Sequence, residues 1–195
     1  MPFPRAWHAL LGAVIVATPV AADTEADTLL GSGCTGCHGS GGVTAGEGIP
    51  SIAGLDKVYF ARVMVQFKNH ERPSTIMGRL AKGYTDSELR TLAKQFGSRP
   101  WTAWRGVAAQ AEVEAGRELH DRLCAECHEQ EGRHQDRDTP RIAGQAPQYL
   151  LLSMQQYRDG QDAQRLPQPD KMLKALRPLM DDQLLSLSRY YASRR

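Results

Sequence analysis

Two five-residue words constrain this chain more than anything else in it: Cys34-Thr35-Gly36-Cys37-His38 and Cys124-Ala125-Glu126-Cys127-His128. Each reads C-x-x-C-H, and together they use all 4 cysteines. A bare C-x-x-C can be a redox disulfide or half of a zinc site. The redox motif sits beside a βαβ pattern, which is absent from this sequence. A zinc site pairs two such words across about 15–20 residues, and Cys37 and Cys124 lie much further apart. Neither rival explains a histidine directly after both words. C-x-x-C-H is the attachment pattern of c-type haem. The two thiols add to the vinyl groups, and the following imidazole binds iron. The expectation is two covalently bound haem c groups, held by Cys34 and Cys37 and by Cys124 and Cys127. His38 and His128 are then the proximal ligands.

Gly31-Ser32-Gly33-Cys34-Thr35-Gly36 also fits G-x-G-x-x-G. A dinucleotide fingerprint needs a preceding strand and a βαβ setting, so this match is discounted. Any flavin or nicotinamide belongs to another chain.

The first residues read as an export signal, with Arg5, an uncharged stretch from Ala9 to Thr18, and the small residues Val20-Ala21-Ala22 before Asp23. The apolar stretch is shorter than the about 20 residues of a membrane-spanning helix. Residues 1–22 are therefore expected to be a cleaved signal peptide, with no membrane span after cleavage and a periplasmic location. Lys and Arg number 24 against 22 Asp and Glu, a balance that points to no nucleic acid. Small domains bury little apolar surface unaided, and a haem in each supplies the missing core.

Shifted by 90 positions, the chain overlays itself. Pro50-Ser51-Ile52-Ala53-Gly54 falls on Pro140-Arg141-Ile142-Ala143-Gly144, Tyr59 on Tyr149, Met64 on Met154, and Phe67-Lys68 on Tyr157-Arg158. After a five-residue insertion Met77 meets Met172, and Asp86, Leu89 and Leu92 meet Asp181, Leu184 and Leu187. A repeat of this length means two copies of one module. The expected divisions are 23–97, a linker over 98–112 containing Trp101 and Trp104, and 113–195. The tryptophans pack either between the modules or as caps on the first core. Each copy reads as three helices: one into the haem word (clearest at Val113 to Leu123), one after P-x-I-A-G, and one near Thr85 or its counterpart. Tyr59, Val63 and Phe67 share a face of the second helix, as do Tyr149, Ser153 and Tyr157. Thr85-Asp86-Ser87-Glu88 is a capping box, followed by the apolar face Leu89, Leu92, Ala93 and Phe96. The Gly-rich run from Gly39 to Gly48 is a loop.

Each iron needs a sixth ligand, usually Met or a second His. Met64 and Met154 fall inside helices and read as gap-fillers. Met77 and Met172 precede the terminal helix in a looser segment and are the expected ligands; Met180 is out of register with Met77. His70, His120 and His134 do not overlay one another and are expected at the surface, and His8 lies in the signal.

The stretch from Phe67-Lys68 through Ser74-Thr75-Ile76-Met77-Gly78-Arg79-Leu80-Ala81-Lys82-Gly83-Tyr84 resembles the cytochrome subunit of flavocytochrome c sulfide dehydrogenase. So does Leu119-His120-Asp121 ahead of the second word. Ile142-Ala143-Gly144-Gln145, Tyr149-Leu150 and Tyr157-Arg158-Asp159-Gly160 are similar to dihaem cytochrome c4. The resemblance implies an all-α chain of two tandem cytochrome c domains related by a pseudo-twofold axis. It places His38 and Met77 on one iron, and His128 and Met172 on the other. It also implies a non-catalytic subunit that accepts electrons one at a time from an FAD-containing sulfide dehydrogenase flavoprotein and passes them to a downstream acceptor. The c4 alternative is a free shuttle to a terminal oxidase. As in related cytochromes c, Pro50 and Pro140 either orient the proximal histidines through their carbonyls or simply kink their loops.

Overall fold

The computed structural model describes residues 29–160 and 169–195. The expected signal peptide lies outside them. Among the described residues the secondary structure is helical throughout, with no strand. No described helix is long and apolar enough to cross a membrane.

The first half contains α1 (Ser32–His38), α2 (Lys57–Lys68), α3 (Met77–Ala81) and α4 (Asp86–Gly97). The second contains α5 (Gln110–Leu123), α6 (Pro147–Asp159), α7 (Pro169–Leu176) and α8 (Asp181–Ser193). Local chemistry sets the helix starts. The Asp56 carboxylate accepts from the Val58 and Tyr59 amides at 2.9 and 2.8 Å, satisfying donors left free at the start of α2. The expected capping box opens α4: Glu88 N–H donates to Thr85 Oγ1, and Thr85 N–H to the Glu88 carboxylate. α6 opens on Pro147, where the missing N–H costs nothing.

The repeat is a structural one. The Ile52 and Ala53 amides donate to the Gly42 carbonyl, and those of Ile142 and Ala143 to Gly132. Gly54 N–H donates to Phe96 O, and Gly144 N–H to Tyr191 O. Gly42 and Gly132 both adopt positive φ, at 84° and 83°. A Cβ there would lie 2.8 Å from the Phe96 ring in one copy and 2.7 Å from Ile142 in the other. Glycine satisfies both demands at once.

Each half has its own core. In the first, Leu89, Leu92, Ala93 and Phe96 are at most 2% exposed, as the α4 pattern predicts, and they pack with Phe60, Met64 and Ala81. In the second, Leu184, Leu187 and Tyr191 pack with Leu150, Met154, Val113 and Leu119. Met64 and Met154 are therefore core residues, as expected. The expected face of the second helix holds in part, since Val63 is buried and Phe67 packs against the first core. Phe60, Val63 and Met64 enter the core, while Tyr59 is only partly buried and turns to the other half. Leu150 and Met154 repeat this against Tyr149. Each of these helices carries two buried faces, one for its core and one for the seam.

Gln145 bridges the seam: its Oε1 accepts from Ser51 N–H at 2.8 Å and its Nε2 donates to Ser51 O at 3.0 Å. Gln135 Nε2 donates to Gly54 O, and its Oε1 accepts from Asp56 N–H. Tyr59 and Tyr149 meet at one guanidinium, that of Arg72. Equivalent residues meeting at an interface are what a twofold arrangement produces. Trp101 packs on the first core while Arg141 of the second half lies 5.2 Å above its ring. Trp104 is buried, and its amide donates to Gly144 O. Both readings of the tryptophans thus hold in part: the linker caps the first core and touches the second half. Because Ser51 is fully buried, Gln145→Ala should strand its amide and carbonyl at a cost of about 1–3 kcal/mol. Calorimetry should show the two halves melting less cooperatively; an unchanged endotherm would count against Gln145 as a seam residue.

Candidate functional site

Both C-x-x-C-H words sit at the end of a helix. The first forms α1 itself, and the second follows α5 directly. In each, the second cysteine is exposed (Cys37, Cys127) and the first is half-buried (Cys34, Cys124). None is in a disulfide. Burial pushes the Cys34 and Cys124 thiols up. Among the described residues no three His, Cys, Asp or Glu side chains converge as a metal site, so the two words do not make a zinc centre together.

His38 and His128 are each 9% exposed. His38 Nδ1 lies 2.8 Å from the Pro50 carbonyl. A carbonyl can only accept, so Nδ1 carries the proton and the Nε2 lone pair is free for a metal. Pro50 therefore orients the ring. Burial holds His38 below its ordinary pKa and lowers His128 to about 4. Both rings are neutral at physiological pH, the state a ligating imidazole needs. His128 differs in one respect: its Nδ1 is buried without a partner. Pro140 does not act as Pro50 does.

Met77 opens α3, and Met172 lies within α7. Their segments are helical, not loose as the sequence suggested. Ser74 Oγ accepts from Gly78 N–H at 2.7 Å and so supplies the start of α3. Met77 packs on the same core as Cys34, and Met172 on the same core as Cys124. Each half thus brings together on one core a thiol of its word and a candidate thioether. Met180 is 63% exposed. Unpaired thiols, neutral buried imidazoles and a thioether on the same core fit a covalently attached haem in each half.

His120 was expected at the surface and is buried, at 3% exposure. It shares a 2.9 Å hydrogen bond with the Tyr191 hydroxyl and packs on the rings of Tyr190 and Tyr191. The α5 pattern holds the signal that was missed, since Val113, Gly116, Leu119 and His120 recur at helical spacing. Burial lowers the His120 pKa. The folded state resists protonation that the unfolded chain accepts, so stability is lost as pH falls below about 6.5. The melting temperature of the second half should drop on acidification from pH 7.5 to 5, and less so in His120→Asn. Equal slopes would refute a role for this ring. His70 is exposed with φ 57°, and His134 lies near Asp136 at 3.4 Å.

A profile of the cytochrome c family matches residues 113–190. The cytochrome subunit of sulfide dehydrogenase from Chlorobaculum tepidum is 44% identical over 70 residues, 36% of this chain and 63% of that relative. The chain thus matches less than two thirds of that relative's length. The thiosulfate dehydrogenase electron acceptor of Stutzerimonas stutzeri is 26% identical over 170 residues, covering 82% of this chain and 78% of the relative. The crystal structure of cytochrome c4 from Pseudomonas stutzeri superposes with a TM-score of 0.77 at 23% identity, over 90% of this chain and all of that one. Residues 113–190 therefore match the cytochrome c family, the chain as a whole has the fold of cytochrome c4, and part of it is similar in sequence to the cytochrome subunit of sulfide dehydrogenase.

Proposed function

We propose that this chain is an exported, periplasmic dihaem cytochrome c that accepts electrons singly from the FAD subunit of a sulfide dehydrogenase and passes them to a downstream acceptor. The observation that carries this reading is the duplicated arrangement: a C-x-x-C-H word, a buried neutral histidine and a thioether on one core, twice in one chain. A c-type haem supplies a one-electron ferric/ferrous couple. The chain's part is to hold and screen it. Cys34, Cys37, Cys124 and Cys127 would tether the two groups, and His38 with Met77 and His128 with Met172 would supply the ligands to the two irons. A neutral thioether favours the ferrous state and leaves no open position for substrate. The chain is then an electron-transfer subunit without catalysis of its own, and sulfide oxidation belongs to its partner. Two one-electron sites in one chain suit a flavin that must unload two electrons.

The whole-length likeness to cytochrome c4 favours a second reading, a free shuttle to a terminal oxidase. Purification of the native protein separates the two. Co-elution with an FAD protein, and haem reduction by sulfide only in its presence, supports the first. A flavin-free cytochrome that sulfide and a flavoprotein leave oxidised refutes it. Reduction by a thiosulfate-oxidising enzyme instead would reassign the donor.

A further inference from the structure

Where the linker meets the second half, an open cleft of about 330 Å³ is lined by Trp101, Thr102, Ala103, Arg105, Arg141 and Arg195. Half of these residues are arginines and none is acidic. Backbone contacts bring them together. Trp104 N–H donates to Gly144 O at 2.8 Å and holds the linker against the loop that carries Arg141. Arg133 Nε donates to the Arg195 carbonyl and ties that residue to the segment after the second haem word. The Arg141 guanidinium lies 5.2 Å above the Trp101 ring.

Stacking on Trp101 does not use up the hydrogen-bonding capacity of Arg141. A guanidinium over an aromatic face keeps its N–H groups at its own edge. Arg141 Nε is buried with no acceptor, and so is Trp101 Nε1. Among the described residues Arg105, Arg141 and Arg195 have no ion-pair partner. Glu131, which pairs with Arg133, is shared with Arg194 and offsets none of the three. Burial and the Arg133 charge both disfavour the Arg141 cation. Under the repeat the counterpart of Arg141 is Ser51, so the module itself needs no guanidinium there. Buried N–H donors without acceptors cost stability until something supplies the oxygens.

We infer that this cleft binds a small, doubly charged tetrahedral oxyanion of the sulfate class between Arg105, Arg141 and Arg195. The three guanidiniums come from separate segments: the linker, the P-x-I-A-G loop and the residues after α8. Their donors therefore approach from different directions. A carboxylate presents two oxygens in one plane and suits a single fork. Four oxygens at tetrahedral corners can serve three forks at once. Charge points the same way, because three uncompensated cations attract a dianion more strongly than a monoanion. Arg141 is held by a ring face, so its fork can turn over Trp101 toward the ion without losing that contact. The cleft has room for the ion and several waters. Once bound, the ion would tie the linker to the second half. The site does not depend on the electron-transfer reading above.

Calorimetric titration of the purified native protein with sodium sulfate is the test, with sodium chloride holding the ionic strength constant. One saturable site is expected, and sodium acetate should bind about tenfold more weakly. Arg105→Ala, at an exposed position, should weaken sulfate binding about tenfold, the loss of one charge-assisted hydrogen bond. Arg141→Lys keeps the charge, loses the fork and should weaken it to a similar extent. Arg90→Ala removes an exposed cation of α4 outside the cleft and should leave the affinity within about twofold. In the NMR spectrum of the reduced protein, the Trp101 indole N–H resonance should move with the same saturation. Heat without saturation, equal binding of acetate, or an equal loss in Arg90→Ala would each overturn the site. So would a stationary Trp101 resonance, because the ion would then bind elsewhere.

Discussion

Gly116→Val should unfold the second half of the molecule well below the temperature of the first. Gly116 lies where α5 crosses α8. A Cβ there would sit 2.2 Å from the Ser186 carbonyl oxygen and 2.6 Å from Tyr190 Cβ. Neither obstacle is the tip of a flexible side chain, so the helices themselves must separate. Separation opens the packing of Val113 and Leu119 against Leu187, Tyr190 and Tyr191. Overpacking of this kind costs about 3 kcal/mol. Against the roughly 5–15 kcal/mol of a whole domain that is a large share. The melting temperature of the second half should fall by more than about 10 °C. Gly33→Ala is the control, because a Cβ there meets nothing within 4 Å and alanine favours the helix. A Gly116→Val protein that melts like wild type would mean the crossing is not as tight as described.

Met77→Ala should remove about half the amplitude of the sulfur-to-iron charge-transfer band and leave the rest, because Met172 serves the other iron. Carbon monoxide should then bind about one haem per ferrous chain, where the wild type binds little. Met172→Ala should do the same at the other site, and the double variant should lose the band. Met180→Ala, at an exposed position, should change nothing. If Met77→Ala keeps the full band, another side chain ligates the first iron. Met64 is the residue to test next, being buried on the same core.

Several features were legible in the sequence because they depend on neighbours in the chain. The Thr85–Glu88 capping box is one. The α4 face from Leu89 to Phe96 is another, since helical spacing alone puts those residues on one side. Other features were not legible. The Tyr59 and Tyr149 faces read as core because apolar spacing cannot say which of two surfaces a residue meets. His120 read as surface because its partner, Tyr191, is 71 residues away. The short helix at Met77 is supported by a hydrogen bond from Gly78 N–H to Ser74 Oγ, which helical spacing does not announce. Pro50 and Pro140 are equivalent by position, yet only His38 finds a carbonyl. Ring orientation depends on packing that the repeat does not copy.

Composition and spacing alone determined that there are two modules, that each carries one haem word, and that helices build them. Those properties are local: thiol spacing, side-chain periodicity and a 90-residue self-match survive without any long-range contact. Only the tertiary structure decided how the halves meet, with Gln145 on Ser51, Arg72 between Tyr59 and Tyr149, and a buried His120 behind the second word. Burial and pairing across a seam are set by which surfaces exclude water together, and no stretch of chain carries that information by itself.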